Sequence, residues 1–344
     1  MSVTNRYFLA ANGFSGFRSC FDGVINSEKL KKLYLIKGGS GVGKSTLMRG
    51  ISSHFSEAGY SVEEILCSSD PKSLDGVKIN SDDGYILLID GTSPHEYDMK
   101  YPAVRDYTVD LSRHIDDKCI ALKREKVVLI MKQKKKQYDF AYKNLHLAGI
   151  AYKAIRDAAL PYARRTEIEN LAKKLFQKIS DRNAEIKYTA YSAFCKDGYI
   201  SLDTSDREFE RVYYFDMGYK SQILFSLLID EIKKRSLEIT IFPSPFSDDI
   251  VDGFSVDGGT LFKMRESAPT YKADCYFDEY EDYDEEMIRD AEKIYNLALS
   301  AAEGALKRAF ENHAELEEIY GNHMNFEKNH LLSEELIAKI SAEL

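Results

Sequence analysis

The sequence lacks any closely spaced pair of cysteines. Its 5 cysteines are an odd number, lie far apart and form no CxxC motif, which argues against a disulfide framework and against a zinc cluster. Cysteine usage of this kind is typical of the reducing cytosol, so we expect a cytoplasmic protein. The cysteines are Cys20, Cys67, Cys119, Cys195 and Cys275.

Long apolar runs are also absent. The runs YILLI at 85–89 and ILFSLLI at 223–229 are too short to span a bilayer, which takes about 20 residues. Residues 1–14 show no basic segment followed by an apolar core, so we expect no signal peptide. The sequence therefore predicts a soluble protein without a membrane partner.

Positive charge is not in excess. The formal net charge is −9 at pH 7, which argues against a general nucleic-acid binder. The basic stretch KREKVVLIMKQKKKQ at 123–137 is compatible with a partner-binding helix or a nucleic-acid patch. Such a run is more often a solvated helix face with a buried stripe, and we adopt that interpretation. The length of 344 residues and the 44% hydrophobic content suggest two globular domains.

The strongest motif is GGSGVGKS at 38–45, which matches GxxxxGK[ST]. Its glycines let successive backbone N–H groups point at phosphate oxygens, and the helix that follows adds its own free N–H groups. We expect Lys44 to reach the β- and γ-phosphates and the Ser45 hydroxyl to bind Mg²⁺. The residues expected to contact the nucleotide are Gly38, Gly39, Ser40, Gly41, Val42, Gly43, Lys44, Ser45 and Thr46.

The residues around the motif fit this interpretation. LYLI at 33–36 is a β-type apolar run. After the motif, Leu47, Ile51 and Phe55 have helical spacing, and Gly59 is a helix stop. A phosphate loop requires this order of strand, loop and helix. The alternative is an ordinary glycine-rich turn between a strand and a helix.

A phosphate loop also needs an acidic residue to hold the metal. YILLID at 85–90 reads as a buried strand ending in Asp90, and we expect Asp90 to bind Mg²⁺ together with Ser45. The alternative is that Asp90 is only a turn residue. Asp70 and Asp75 are rival acidic groups. The candidate catalytic residues are Lys44, Asp90, Asp75 and His95, the last two as candidates to orient a water molecule.

The apolar segments are arranged as in an α/β fold. The strand–loop–helix at 33–59 and the strands at 61–67 and 85–90 form consecutive β-α-β-type steps. Right-handed crossovers between them would make the sheet parallel. The nucleotide would then lie at the carboxyl ends of the strands.

The two halves of the chain resemble each other in order along most of their length. Residues 33–48, which contain the motif, align with 212–225. We therefore predict an α/β fold of two P-loop NTPase-like parallel-sheet domains in tandem, 1–182 and 183–344, each with a helical arm. The alternative is that two α/β halves share only general patterning.

The second half has lost the chemistry of the first. Its turn is three residues shorter, although Lys220 and Ser221 align with Lys44 and Ser45. A loop that short cannot present the same ring of amides. We expect a half that binds no nucleotide and packs against the first. Arg265 is a candidate charge stabiliser for the first site, but we adopt the alternative of an exposed or salt-bridged arginine. The replacements are Gly43 by Tyr219, Lys37 by Asp216, Asp90 by Arg265 and His95 by Thr270.

The stretches KGGSGVGKST, CSSDPKSLDGV and DGTSPH resemble, in order, an uncharacterised family of bacterial P-loop proteins described as predicted ATPases and sometimes as nucleotide-kinase-like. The resemblance covers nearly the whole chain and is densest over residues 6–98. It implies two P-loop halves in tandem, ATP binding and ATP hydrolysis, and it supplies no substrate. Both halves of that family generally look competent for nucleotide, and this sequence departs from that pattern in its second half.

Three functions follow from these features. The leading hypothesis is an ATPase whose cycle moves the second half or the helical arms, predicted at about 100–182 and 283–343. A small-molecule or nucleotide kinase would need a basic lid, for which Arg156, Arg164 and Arg165 are candidates. Arginines in such a stretch are more often exposed helix charges. A non-enzymatic nucleotide sensor would present its helical arms to a protein partner. No LSGGQ-like stretch is present, which argues against an ABC-type transporter motor.

Overall fold

The computed structural model describes residues 5–94, 96–159, 165–176, 186–202, 209–216, 219–234, 238–246, 250–256, 259–265 and 285–344. His95, Arg164 and Thr270 lie outside these residues. The strands are β1 (Asn5–Tyr7), β2 (Ala10–Gly13), β3 (Gly16–Ser19), β4 (Leu30–Lys37), β5 (Ser61–Leu66), β6 (Leu74–Ser81), β7 (Gly84–Asp90), β8 (Asp106–Asp110), β9 (Ile186–Tyr188), β10 (Ser192–Cys195), β11 (Gly198–Ser201), β12 (Arg211–Asp216), β13 (Ile239–Pro243), β14 (Val251–Val256) and β15 (Thr260–Arg265). The helices are α1 (Phe21–Ile25), α2 (Lys44–Glu57), α3 (Asp117–Ala121), α4 (Arg124–Ala159), α5 (Arg165–Phe176), α6 (Tyr219–Lys234), α7 (Glu285–Gly321) and α8 (Phe326–Ser341).

Strands of the first half form one mixed sheet in the order β1-β5-β6-β7-β4-β8. β4 is parallel to both of its neighbours, and β1 is parallel to β5. β6 is antiparallel to both β5 and β7, so the α/β class is confirmed and the expectation of a wholly parallel sheet is wrong. The reason is chain length. Only residues 82–83 join β6 to β7, whereas parallel neighbours need a crossover of about a dozen residues or more.

The second half contains a sheet with the strand order β12-β15-β14-β13-β9. Its parallel and antiparallel neighbours repeat those of β4-β7-β6-β5-β1 strand for strand. Each half also carries a small antiparallel hairpin, β2-β3 in the first and β10-β11 in the second. This shared topology supports the predicted repeat. Among the described strands of the second sheet, none corresponds to β8.

The connection between strand and helix differs between the halves in the predicted direction. Residues 38–43 separate β4 from α2, whereas only 217–218 separate β12 from α6. The second half therefore has far less backbone at the position where the first half carries its glycine loop.

The strand register corrects one detail of the alignment between the halves. Ile36 pairs with Asp90, and its counterpart Phe215 pairs with Met264. Met264 rather than Arg265 therefore stands at the position of Asp90. The error arises because the alignment of apolar strands by sequence alone does not fix their register to one residue.

The two long helices, α4 and α7, belong to different predicted domains and pack along each other. Alanines form part of their interface, because Ala141 and Ala148 of α4 are buried in one cluster with Ala302 and Ala305 of α7. The expectation of a separate helical hairpin on each half is wrong. Each half contributes one long helix to a shared pair, and each of these helices buries its apolar stripe against the other.

The shorter helices are exchanged between the halves in a reciprocal way. α8 packs on α2 of the first half, and its Leu336 and Ile340 join the core of the first sheet. α5 packs on α6 of the second half, and its Ile168 and Leu175 join the core of the second sheet. The helix that follows each long helix therefore covers the opposite sheet.

The basic stretch at 123–137 has the predicted solvated face and buried stripe. Val127 and Ile130 are buried against Leu316 of α7, whereas Lys132 and Lys135 are exposed. Within the part of the chain that the structure describes, none of the helices combines the length and the apolar character needed to cross a bilayer.

A buried carboxylate, Asp252, lies on β14 in the second sheet. It is 7% exposed, and the Ser192 hydroxyl donates a hydrogen bond to its Oδ2. Burial raises the pKa of Asp252 from 3.8 to about 6, although Ser192, Ser244 and the charge of Lys263 act in the opposite direction. Asp252 aligns with Asp75 of the first half, which lies on the corresponding strand β6.

We predict that Asp252→Asn removes one component of the pH dependence of stability. The pKa of about 6 in the folded state exceeds the ordinary 3.8. Protonated Asp252 therefore contributes fully to the free energy of unfolding below about pH 4, and this contribution is lost as the pH rises to about 6. The loss is at most about 3 kcal/mol. The free energy of unfolding in denaturant should therefore fall more steeply over this interval in the wild type than in the variant.

Asp290→Asn is the control of opposite sign, because the hydrogen bond from Lys293 lowers the pKa of that exposed carboxyl. Its stabilising contribution is lost as the pH falls rather than as it rises. Equal pH slopes in the wild type and in Asp252→Asn would contradict the role assigned to Asp252.

Candidate functional site

The predicted phosphate loop, residues 38–43, lies between β4 and the first turn of α2. Gly41 and Gly43 have φ values of +74° and +90°, a left-handed conformation that side chains rarely adopt. Val42, between them, is buried in the core of the first sheet and anchors the loop. Gly43 is the N-cap of α2 and brings no side chain to bond the first N–H groups of the helix. A helix start of this kind suits an anion.

Lys44, the first residue of α2, turns its side chain back over the loop. Its Nζ donates to the carbonyl oxygens of Gly38 and Gly39, both at 2.8 Å, and lies 3.6 Å from Asp90 Oδ2. The Lys44 and Asp90 side chains are only 12% and 16% exposed, so solvent screens this ion pair weakly. A shielded cation and a carboxylate therefore lie together beside the loop.

Asp90 is the last residue of β7, the strand next to β4. Its Oδ1 accepts hydrogen bonds from the backbone N–H and the hydroxyl of Thr92, at 2.9 and 2.5 Å. Its Oδ2 lies on the side of Lys44. The two interpretations of Asp90 therefore coexist, because one oxygen closes a turn and the other lies near the ammonium of the loop.

The first residues of β6 reach the same edge of the sheet, because β6 runs antiparallel to β7. The backbone N–H of Leu74 donates to Ser45 Oγ at 2.9 Å, which leaves that hydroxyl a second lone pair. Asp75 follows Leu74 and occupies the register position opposite Asp90, one step beyond the last ladder pair. Burial, and then the charge of Asp75, raise the pKa of the Cys67 thiol well above its usual range.

The oxygen donors near the loop fit Mg²⁺ bound together with a phosphate. Mg²⁺ keeps several waters and usually takes one or two carboxylates plus phosphate oxygens from a substrate. Ser45 and Asp90 supply a hydroxyl and a carboxylate, and Thr46 is exposed in the first turn of α2. Across the described residues, no group of three or more His, Cys, Asp and Glu side chains is placed to hold a metal by itself.

Helix α8 supports the loop through one buried amide, which the sequence did not predict. Asn329 is 8% exposed, and its Nδ2 donates to the carbonyl oxygen of Val42 at 2.7 Å. The Oδ1 of the same side chain lies 2.7 Å from Nδ1 of His114. Asn329 therefore joins the loop to the segment that follows β8. No local motif marks this residue, because its role depends on packing across 287 positions of sequence.

Helix α7 approaches the loop backbone to backbone at Gly41. A Cβ placed on Gly41 would come within 2.4 Å of the carbonyl oxygen of Glu317 and 2.6 Å of its Cα. The ring of Tyr320 would lie 3.9 Å from a Cβ placed on Gly39. Glycine is thus required at position 41 for two reasons: the backbone there is left-handed, and α7 approaches too closely for a side chain. The motif predicts the first requirement and carries no signal for the second.

A polar group of three residues, Lys134, His313 and Glu317, joins α4 and α7 to the loop. Ser40 Oγ lies 3.1 Å from His313 Nδ1, and Lys134 Nζ lies 2.7 Å from the same nitrogen. His313 Nε2 lies 3.3 Å from Glu317 Oε1. Because an ammonium can only donate, Nδ1 accepts and we assign the ring proton to Nε2. Burial lowers the pKa of Lys134, and the charge of nearby Lys44 acts in the same direction.

The remaining predicted residues are either distant from the loop or not described. Arg156 on α4 lies 3.5 Å from Asp157 and about 33 Å along the helix from Lys134. Arg265 closes β15, and nothing of its side chain is described. His95 lies outside the described residues, so its role stays a prediction.

Comparison with known proteins adds no assignment. No family model, no curated protein and no solved structure matches this chain. The resemblance to a bacterial P-loop family therefore stays a prediction. The function has to be argued from the residues and geometry of the site, because a fold alone does not define a function.

We predict that Asn329→Ala destabilises the protein by about 1–3 kcal/mol, because it removes the side-chain donor to the buried carbonyl of Val42. The measurement is the free energy of unfolding in denaturant. The control is His330→Ala, an adjacent residue of the same helix whose side chain is 74% exposed, and its effect should stay within about 0.5 kcal/mol. Similar small effects of both substitutions would show that Asn329 does not support the loop.

Proposed function

We propose that this chain is a Mg²⁺-dependent ATP-binding protein that hydrolyses ATP at residues 38–46, and that its second half is a structural or regulatory partner. The observation that carries the proposal is the position of Lys44, between the loop carbonyls and Asp90. A glycine-rich turn that only reverses the chain gains nothing from a shielded ammonium and carboxylate, whose burial is costly. A polyphosphate ligand accounts for the ammonium, and the Mg²⁺ that would be bound with it accounts for the carboxylate.

Binding uses the loop backbone first. The N–H groups of the loop and of the first turn of α2 donate to phosphate oxygens, aided by the positive end of the helix dipole. Lys44 exchanges the carbonyl oxygens of Gly38 and Gly39 for the β- and γ-phosphates. Ser45 and Asp90 would hold Mg²⁺, which would supply positive charge to the phosphate oxygens.

Hydrolysis transfers the terminal phosphoryl group to water. The water oxygen forms the new bond to phosphorus as the bond to the ADP oxygen breaks, and the proton of the water passes to solvent. Positioning and charge stabilisation supply most of the catalysis in such reactions. Asp75 and His95 are the candidates to orient the water, and the position of Asp75 opposite Asp90 supports the former.

The second half is proposed not to bind nucleotide. Two residues, 217–218, connect β12 to α6, and so short a connection does not provide a ring of inward-pointing N–H groups. Met264 stands at the register position of Asp90, so the metal-binding carboxylate is missing there too. What this half contributes to the first is α7 and α8.

A non-enzymatic nucleotide sensor is the second candidate. It is favoured by the direct contacts of α7 and α8 with the loop, at Gly41 and at Val42. Through these contacts a nucleotide-dependent change could reach a protein partner of the helices without turnover. A kinase has less support. Arg156, the candidate lid residue whose side chain is described, lies far from the loop beside Asp157.

We predict that Lys44→Ala abolishes detectable Mg²⁺-ATP binding and turnover, because it removes the charge-assisted hydrogen bonds to two phosphates. Lys220→Ala, the corresponding substitution in the second half, should leave both unchanged. Binding is measured by titration calorimetry, and turnover by release of inorganic phosphate, on the full chain. Equal damage by Lys220→Ala would contradict the division of roles between the halves.

A panel of acceptor metabolites added to the same assay separates the three functions. Phosphate release without an acceptor is expected for the proposed ATPase. ADP formation that depends on one acceptor, without free phosphate, would identify a kinase. Tight binding without either product would identify a sensor.

A further inference from the structure

We propose that Lys134 is a second cation for the terminal phosphate of the bound nucleotide and that His313 positions it, so that the α4–α7 pair distinguishes ATP from ADP. This inference rests on the nucleotide site proposed above. It gives a role to a lysine that is distant from the loop in sequence and lies on a helix without a phosphate-binding motif.

Lys134 and Lys44 lie at the same end of the loop. Lys44 Nζ bonds to the first two loop carbonyls, and the next residue, Ser40, contacts His313 Nδ1 at 3.1 Å. Lys134 Nζ lies 2.7 Å from that nitrogen. Because the lysine of a phosphate loop serves the β- and γ-phosphates, a cation beyond Ser40 is placed for the outer, terminal phosphate.

The charges around Lys134 favour an anion between the two lysines. Among the described residues Lys134 forms no salt bridge, and its hydrogen-bond partner is the Nδ1 acceptor of His313. Glu317 offsets part of the repulsion between Lys134 and Lys44. A half-buried cation without a close carboxylate is costly. A triphosphate supplies the missing negative charge to both ammonium groups.

The helix face separates Lys134 from the neighbouring lysines of α4. Ile130 and Tyr138, one turn before and one turn after it, belong to the clusters packed between α4 and α7. Lys135 and Lys136 are exposed. Positions four apart share a face of a helix, so Lys134 is directed toward the loop while the lysines beside it face solvent.

The proposed contact depends on the number of phosphates. With ADP no terminal phosphate reaches Lys134, and its ammonium donates to His313. With ATP a second N–H of the same ammonium donates to the terminal phosphate, because a lysine ammonium has three donors. His313, which is itself bonded to Glu317, keeps the ammonium directed toward the loop in both states.

The experiment compares the affinities of the full chain for a non-hydrolysable ATP analogue and for ADP, by titration calorimetry with Mg²⁺. Lys134→Gln should weaken binding of the analogue roughly 10- to 100-fold and binding of ADP by less than about 3-fold. Lys135→Gln, the matched control on the exposed face, should change neither. Lys134→Arg keeps the charge and should restore most of the affinity for the analogue.

His313→Asn is a second variant that retains the cation and removes its positioning group. His313→Asn should lower the affinity for the analogue relative to the affinity for ADP. The decrease should be smaller than that caused by Lys134→Gln and larger than that caused by Lys135→Gln. Equal weakening of analogue and ADP by Lys134→Gln, or an unchanged ratio in both Lys134→Gln and His313→Asn, overturns the inference and leaves the proposed function intact. If the wild type binds neither nucleotide, or if the Lys44→Ala variant binds both nucleotides as tightly as the wild type does, the proposed function fails. This inference then fails with it.

Discussion

The rest of the site depends on the contact between the loop backbone at Gly41 and the backbone of Glu317. A Cβ at Gly41 would lie 2.4 Å from the Glu317 oxygen, so no side chain separates the loop from α7. The hydrogen bond from Asn329 to Val42 fixes the next loop residue to α8. Packed interiors transmit displacement because they have little free volume. The C-terminal helices are therefore in direct contact with the loop and are part of the candidate site.

The reciprocal exchange of helices explains how a half without its own phosphate loop remains necessary to the first. α8 covers α2 and α5 covers α6, so neither sheet has a complete core from its own predicted domain. The first half relies on Leu336 and Ile340 from the far end of the chain. The second half therefore completes the core of the first sheet through α8, whether or not it binds a ligand of its own.

The features that sequence predicts are those contained in a contiguous stretch. The loop before Lys44 and the strand end at Asp90 each carry their own local pattern of glycines, apolar residues and polar ends. The direction of β6 is not in that pattern, because alternating burial is the same for either direction, although the short link 82–83 does limit it. The roles of Lys134 and Asn329 are likewise not marked by any local sequence pattern. Their roles follow from how α4, α7 and α8 pack, and one sequence does not record that packing.

The long helix α7 extends far beyond the loop that it contacts. α7 has 37 residues and is therefore about 55 Å long, with its loop contacts near one end. Its alanine-rich seam with α4 brings the helix backbones close, so that sliding of one helix against the other would strip buried contacts from Ala302 and Ala305. Movement of the pair as one body keeps those contacts. These contacts favour movement of α4 and α7 as one body over sliding, and the contacts of His313 and Glu317 with the loop lie near one end of that body.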